Sequence, residues 1–73
     1  MKKVYLKWRD STSWNGWHNL PLTDYKIVEI ETIGFVIKET KNKIVIAHSI
    51  SSENHVNGIL AIPKGVIIKR RKI

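Results

Sequence analysis

Apolar and polar residues alternate along this chain with a period of two, mostly on β-branched side chains, and that pattern constrains the fold more than any other feature. Val4, Leu6 and Trp8 alternate with Tyr5, Lys7 and Arg9. An extended segment there puts an apolar row on one face and gathers Tyr5, Lys7 and Arg9 on the other. Ala occurs only twice, and no apolar series at i, i+3, i+4, i+7 runs past two turns. Val and Ile lose side-chain freedom in a helix and pack well on a pleated surface, so an all-β fold is predicted.

The remaining segments fit that expectation. Lys26 to Thr40 reads as a second, long extended segment, with Gly34 the expected place for a bulge or sharp bend that lets one strand serve two sheets. Lys41 to Lys43 reads as a hairpin turn. Ile44, Ile46 and His48 then alternate with Val45, Ala47 and Ser49, with His48 expected half-buried. Ser51 to Gly58 is a polar break rich in loop residues. Ile59 to Ile62 is a short strand, Pro63-Lys64-Gly65 a tight turn, and Val66 to Ile73 a last strand whose basic end, Arg70-Arg71-Lys72, is alternatively a disordered tail. Between Asp10 and Asp24 the periodicity stops, while Trp14, Trp17 and Leu20 mix with Ser, Thr, Asn and Gly. Such aromatic content predicts a long ordered loop folded over the open end of the core, one Trp acting as a plug.

At 73 residues the chain reads as a single domain, residues 1–73, able to bury only about 60% of its unfolded surface, which keeps homo-oligomerisation in view. The absence of cysteine excludes disulfides, thiolate metal sites and a cysteine nucleophile, and suits a cytoplasmic protein. Lys7, Arg9 and Asp10 occupy the stretch where a signal peptide would need an apolar core, and no apolar run approaches a membrane span.

Charge is the main functional clue. Residues 1–10 carry four bases and Asp10 (+3), residues 64–73 five bases and no acid (+5), and residues 11–63 four bases against five acids (−1), together the net +7. If the first and last strands pair, the two basic ends become one cationic face suited to an anionic ligand, nucleic acid above all. The candidate phosphate contacts are Lys3, Lys7, Arg9, Lys69, Arg70 and Arg71, with Tyr5 and Trp17 as stacking partners for bases. Two structural readings compete. Basic residues on an edge strand also block edge-to-edge aggregation, and tryptophans also anchor cores and loops.

Catalytic and metal signals are missing. His18, His48 and His55 lack ligand spacing, the four glycines are scattered and form no phosphate loop, and no Ser, His and Asp recur at a recognisable local spacing. No enzyme, cofactor or metal site is expected.

Five short strands, a long loop after the first, a bend at Gly34 and the step Ile62-Pro63-Lys64-Gly65-Val66 resemble small SH3-like barrels, with Sm-like barrels as near neighbours. That resemblance implies a five-stranded barrel with a single 3₁₀ turn before the last strand. The acidic, aromatic first loop and paired tryptophans of peptide-binding SH3 domains are absent, so proline-rich ligands are not implied. Trp8-Arg9-Asp10-Ser11, Asn15-Gly16-Trp17, the segment Thr32 to Glu39 and Ile62-Pro63-Lys64 are loosely similar to small proteins of bacteriophages and prophages. This second likeness implies an accessory role, such as counter-defence.

The sequence therefore predicts a non-catalytic binding module for an anionic ligand. The alternatives are an inhibitor or adaptor docking on an acidic protein surface, and sequestration of a small anionic nucleotide between subunits.

Overall fold

The computed structural model describes residues 1–10, 17 and 27–73. These residues form strands β1 (Lys3–Asp10), β2 (Val28–Glu39), β3 (Lys43–Ile50) and β4 (Val56–Pro63), a 3₁₀ turn (Lys64–Val66), and β5 (Ile67–Lys72). The strands make one antiparallel sheet in the order β4-β3-β2-β1-β5. Among the described residues no ladder joins β4 to β5, so the sheet is open and has two edges. The fold is all-β, and among the described residues no helix is long and apolar enough to cross a membrane.

The period of two sets the faces. Val4, Leu6, Ile44, Ile46 and Ile62 are buried in one cluster, with Trp8, Val36, Val66 and Ile67 packed against it. Burying each such aliphatic side chain stabilises the fold by about 1.5–3 kcal/mol. The odd-numbered residues of β1 consequently point away from this cluster. Trp8 covers its rim, its indole N–H donating to Thr32 Oγ1 at 3.0 Å.

Strand β2 divides its pairing. Val28 to Phe35 pairs with β1 and Phe35 to Glu39 with β3, so Phe35 lies opposite both Lys3 and Ala47. The register irregularity sits between Val36 and Lys38 rather than at the expected Gly34. Gly34 is needed for a different reason: a Cβ there would come within 3.0 Å of the Ala47 carbonyl oxygen and 3.2 Å of Ile46 side-chain atoms. The glycine lets the β2 and β3 backbones approach closely there.

The polar break after β3 is shorter than the sequence suggested. Ser51 ties it off: its Oγ accepts from the Glu53 and His55 N–H groups, its own N–H donates to the His55 carbonyl, and Asn54 takes a positive φ of 68°. Asn57 and Gly58 therefore belong to β4, with Asn57 opposite Ser49. The same register sets Gly58 against His48, whose Cβ would lie 2.6 Å from an added Cβ, and Gly58 adopts a φ of +70°. His48 is exposed rather than half-buried, because it extends beyond the core residues Ile44 and Ile46. Its Nδ1 lies 2.8 Å from Ser49 Oγ.

Two other expectations are settled here. The hairpin expected at Lys41 to Lys43 forms, although Lys43 already belongs to β3, and Thr40 Oγ1 accepts from the Asn42 and Lys43 N–H groups. Arg70, Arg71 and Lys72 lie within β5, not in a disordered tail. The expected loop from Asp10 to Asp24, including Trp14 and its proposed plugging role, lies outside the described residues apart from Asp10 and Trp17.

Candidate functional site

Pairing of β1 with β5 brings the two basic ends of the chain together. Tyr5 lies opposite Arg71 and Lys7 opposite Lys69, all on the face turned away from the core. Directly opposed residues in an antiparallel pair have Cβ atoms about 4.5–5.5 Å apart, well inside the screening length of about 8 Å at physiological salt. Lys7 and Lys69 are therefore close enough to repel one another.

Tyr5 organises the neighbouring row. The Arg71 guanidinium carbon sits 4.7 Å from the centre of the Tyr5 ring, and the Tyr5 hydroxyl donates to Glu31 Oε2 at 2.8 Å. The hydrogen bond to Glu31 is the main reason the phenol's pKa lies above its ordinary value, with Arg71 acting in the opposite direction. One face of the expected stacking residue is thus already occupied by an arginine from β5. Arg71 is held over the Tyr5 ring beside the seam.

The other expected contacts divide. Arg9 shares the face of Lys7 but lies opposite Glu29, beyond the end of the β1–β5 ladder, while Lys7 itself lies opposite Glu31 on the β2 side. Lys3 is exposed at the start of β1, opposite Phe35. Trp17 is exposed. Within the β1–β2 and β1–β5 ladders, the outer-face residues Lys3, Lys7, Arg9, Lys69 and Arg71 contribute +5 and Glu29 and Glu31 contribute −2, a net +3. The acids all lie on β2, so the positive strip is two strands wide and follows the β1–β5 seam. Glu29 and Glu31 were not anticipated as part of this surface. Their spacing matches Lys7 and Arg9, but only the register shows that they face each other.

Arg70 stands apart from the other candidates. It pairs with Leu6 in the ladder, on the core side of the sheet, and makes a two-pronged contact with Glu39, Nη1 to Oε2 at 2.7 Å and Nη2 to Oε1 at 3.0 Å. Lys64 Nζ lies 2.8 Å from the same carboxylate. The triad links β5, the end of β2 and the 3₁₀ turn, between which no ladder runs among the described residues. Hydrogen bonding from Arg70, and then from Lys64, lowers the Glu39 pKa from 4.5 to about 2.

A stability signature follows from that shift. A carboxylate whose pKa is lower in the folded state contributes stability that is fully present above the unfolded value and is lost as pH falls through the folded one. The window here is about pH 4.5 down to about 2. Glu39→Gln is expected to flatten the loss of thermal stability across that window. Parallel melting profiles for the two proteins between pH 2 and 5 would show that the triad does not tie the sheet together.

A cleft of about 520 Å³ lies at the end of β1 between Trp8, Arg9, Ile27, Pro63 and Val66. No group of three His, Asp or Glu residues among the described residues is placed to hold a metal ion. No protein-family model, curated protein or solved structure matches this chain.

Proposed function

We propose that this chain is a non-catalytic binding module that holds an anionic ligand, nucleic acid first among the candidates, along the outer seam of β1 and β5. The carrying observation is the register that sets Lys7 against Lys69 and Tyr5 against Arg71. Like charges brought together at direct cross-strand positions are unfavourable by themselves, and they make a site for a polyanion backbone. Lys7, Lys69 and Arg71 are the central phosphate contacts, Lys3 and Arg9 flank them, and Arg70 acts mainly through Glu39. The acids of β2 confine the ligand to the seam.

In the same reading the domain is an SH3-like barrel left partly open. The strand order and the 3₁₀ turn before β5 support it, and the triad of Arg70, Glu39 and Lys64 bridges the opening. The loose resemblance to phage and prophage proteins supplies the setting, a small accessory protein in the cytoplasm of an infected host.

The test is binding of labelled single- and double-stranded oligonucleotides across a salt series. Three phosphate contacts predict a log–log slope of about −2.7 on duplex DNA and about −2.1 on a single strand. Absence of binding at low salt, or affinity insensitive to salt, would overturn the reading. Nuclease-resistant capture of one defined acidic protein would transfer the face to a protein partner.

A further inference from the structure

The core side of the β1–β5 ladder ends in a small cationic hollow. Val4 lies opposite Lys72 and Leu6 opposite Arg70. Because Val4 and Leu6 are buried in the core, Arg70 and Lys72 turn to that side of the sheet, away from the outer seam. Two residues apart on one strand face, they stand about 6.6–6.8 Å apart along β5. Lys2 approaches from just before β1, its carbonyl accepting from the Val36 N–H at 2.8 Å, and the Lys3 carbonyl accepts from the Ile73 N–H at 3.2 Å. Lys2, Lys3, Arg70 and Lys72 line a hollow of about 80 Å³ together with Val4 and Val36, and among the described residues no acid lines it.

We infer that this hollow is a binding site for one phosphate group, held by the ammonium groups of Lys2 and Lys72 against the Arg70 guanidinium. Size selects the ligand first. A hollow of about 80 Å³ has the volume of two to three waters at about 30 Å³ each, which suits a tetrahedral oxyanion. Sites for larger organic ligands run from about 300 to 1,000 Å³. Charge selects it second. Glu39, the acid that Arg70 binds, is shared with Lys64, and among the described residues Lys2 and Lys72 make no ion pair. Glu39 fixes the Arg70 side chain while taking two of the five N–H groups a guanidinium carries, so three donors are left for a ligand. Val4 is 2% exposed, and an apolar floor of this kind strengthens charge-assisted hydrogen bonds made above it. Lys2 and Lys72 take no part in the outer seam, so this site does not rest on the seam's binding nucleic acid, and either can fail alone. A free phosphate ion and the terminal phosphate of a nucleic-acid strand present the same group to it.

Amide NMR titration of the full chain with inorganic phosphate tests this, alongside binding of one oligonucleotide prepared with either a terminal phosphate or a terminal hydroxyl. Phosphate is expected to bind saturably and to shift the Val4, Val36 and Lys72 amides most. Lys2→Gln with Lys72→Gln should weaken binding at least about tenfold, because each change removes a charge-assisted hydrogen bond. Lys41→Gln with Lys43→Gln removes the same charge from exposed positions at the hairpin. That control should weaken binding less than about twofold, since screening blunts distant charges. Tighter binding of the phosphorylated strand, by a margin lost in Lys2→Gln with Lys72→Gln, assigns the site to a strand end. Equal binding of the two strands beside saturable binding of inorganic phosphate assigns it to the free ion. The proposal is overturned if neither inorganic phosphate nor the terminal phosphate is recognised, if the shifts centre on Lys7 and Lys69, or if both double variants lose equally.

Discussion

Reversing charge at Lys7 and Arg71 together is expected to weaken oligonucleotide binding by at least about a hundredfold at low salt and to reduce the steepness of its salt dependence. Both residues lie on the β1–β5 seam, in adjacent rows. Their replacement by Glu would remove two of the three proposed central phosphate contacts and extend the acidity of Glu29 and Glu31 onto the seam. The Lys7 change also sets a carboxylate against Glu31 in the ladder, a like-charge cross-strand pair that destabilises by roughly 0.2–1 kcal/mol. The double change Lys7→Gln with Arg71→Gln separates the effects. It should lose most of the affinity without that penalty. Oligonucleotide binding that survives both double variants would remove nucleic acid from the seam. Arg70→Gln provides an internal contrast. Because Arg70 turns to the core side and holds Glu39, its loss should lower stability near neutral pH more than it lowers affinity.

The second large effect is on the fold. Leu6 is fully buried and belongs to a cluster of five buried aliphatic residues among the described residues. Leu6→Ala is expected to destabilise the protein by about 3 kcal/mol, combining lost transfer free energy with a cavity that short strands cannot easily collapse around. A chain of this length has total stability on the order of 4–11 kcal/mol, so the variant sits close to unfolding. Urea denaturation of Leu6→Ala beside Ile33→Ala is the measurement. Ile33 is 61% exposed, and its truncation should change stability by no more than about 0.5 kcal/mol. Similar losses in the two variants would mean that the core is not where the alternation of β1 puts it.

How much of this was legible in advance differs from place to place. In β1 the alternation of Val4, Leu6 and Trp8 with Tyr5, Lys7 and Arg9 was enough to assign faces, because side-chain direction in a strand is a local property. The hairpin at Lys41 to Lys43 was similarly local. Asn57 and Gly58 were assigned to a loop because their residue types favour turns, yet they lie in β4, where Gly58 meets His48 Cβ and the ladder to β3 overrides local preference. Gly34 was singled out for the right neighbourhood but the wrong cause, since the approach of Ala47 from β3 is not written near it in the chain.

By itself the sequence determined an all-β chain, with basic residues gathered at its two ends and a face assignment for each alternating strand. Those are consequences of backbone sterics, side-chain period and composition, which act within a few residues. Only the tertiary structure decided that β1 lies between β2 and β5, so that Lys7 meets Lys69 on one side and Glu31 on the other, and that Arg70 leaves the basic face for Glu39. Such pairings join residues tens of positions apart, and the register that selects them is set by how the buried side chains of distant strands pack together.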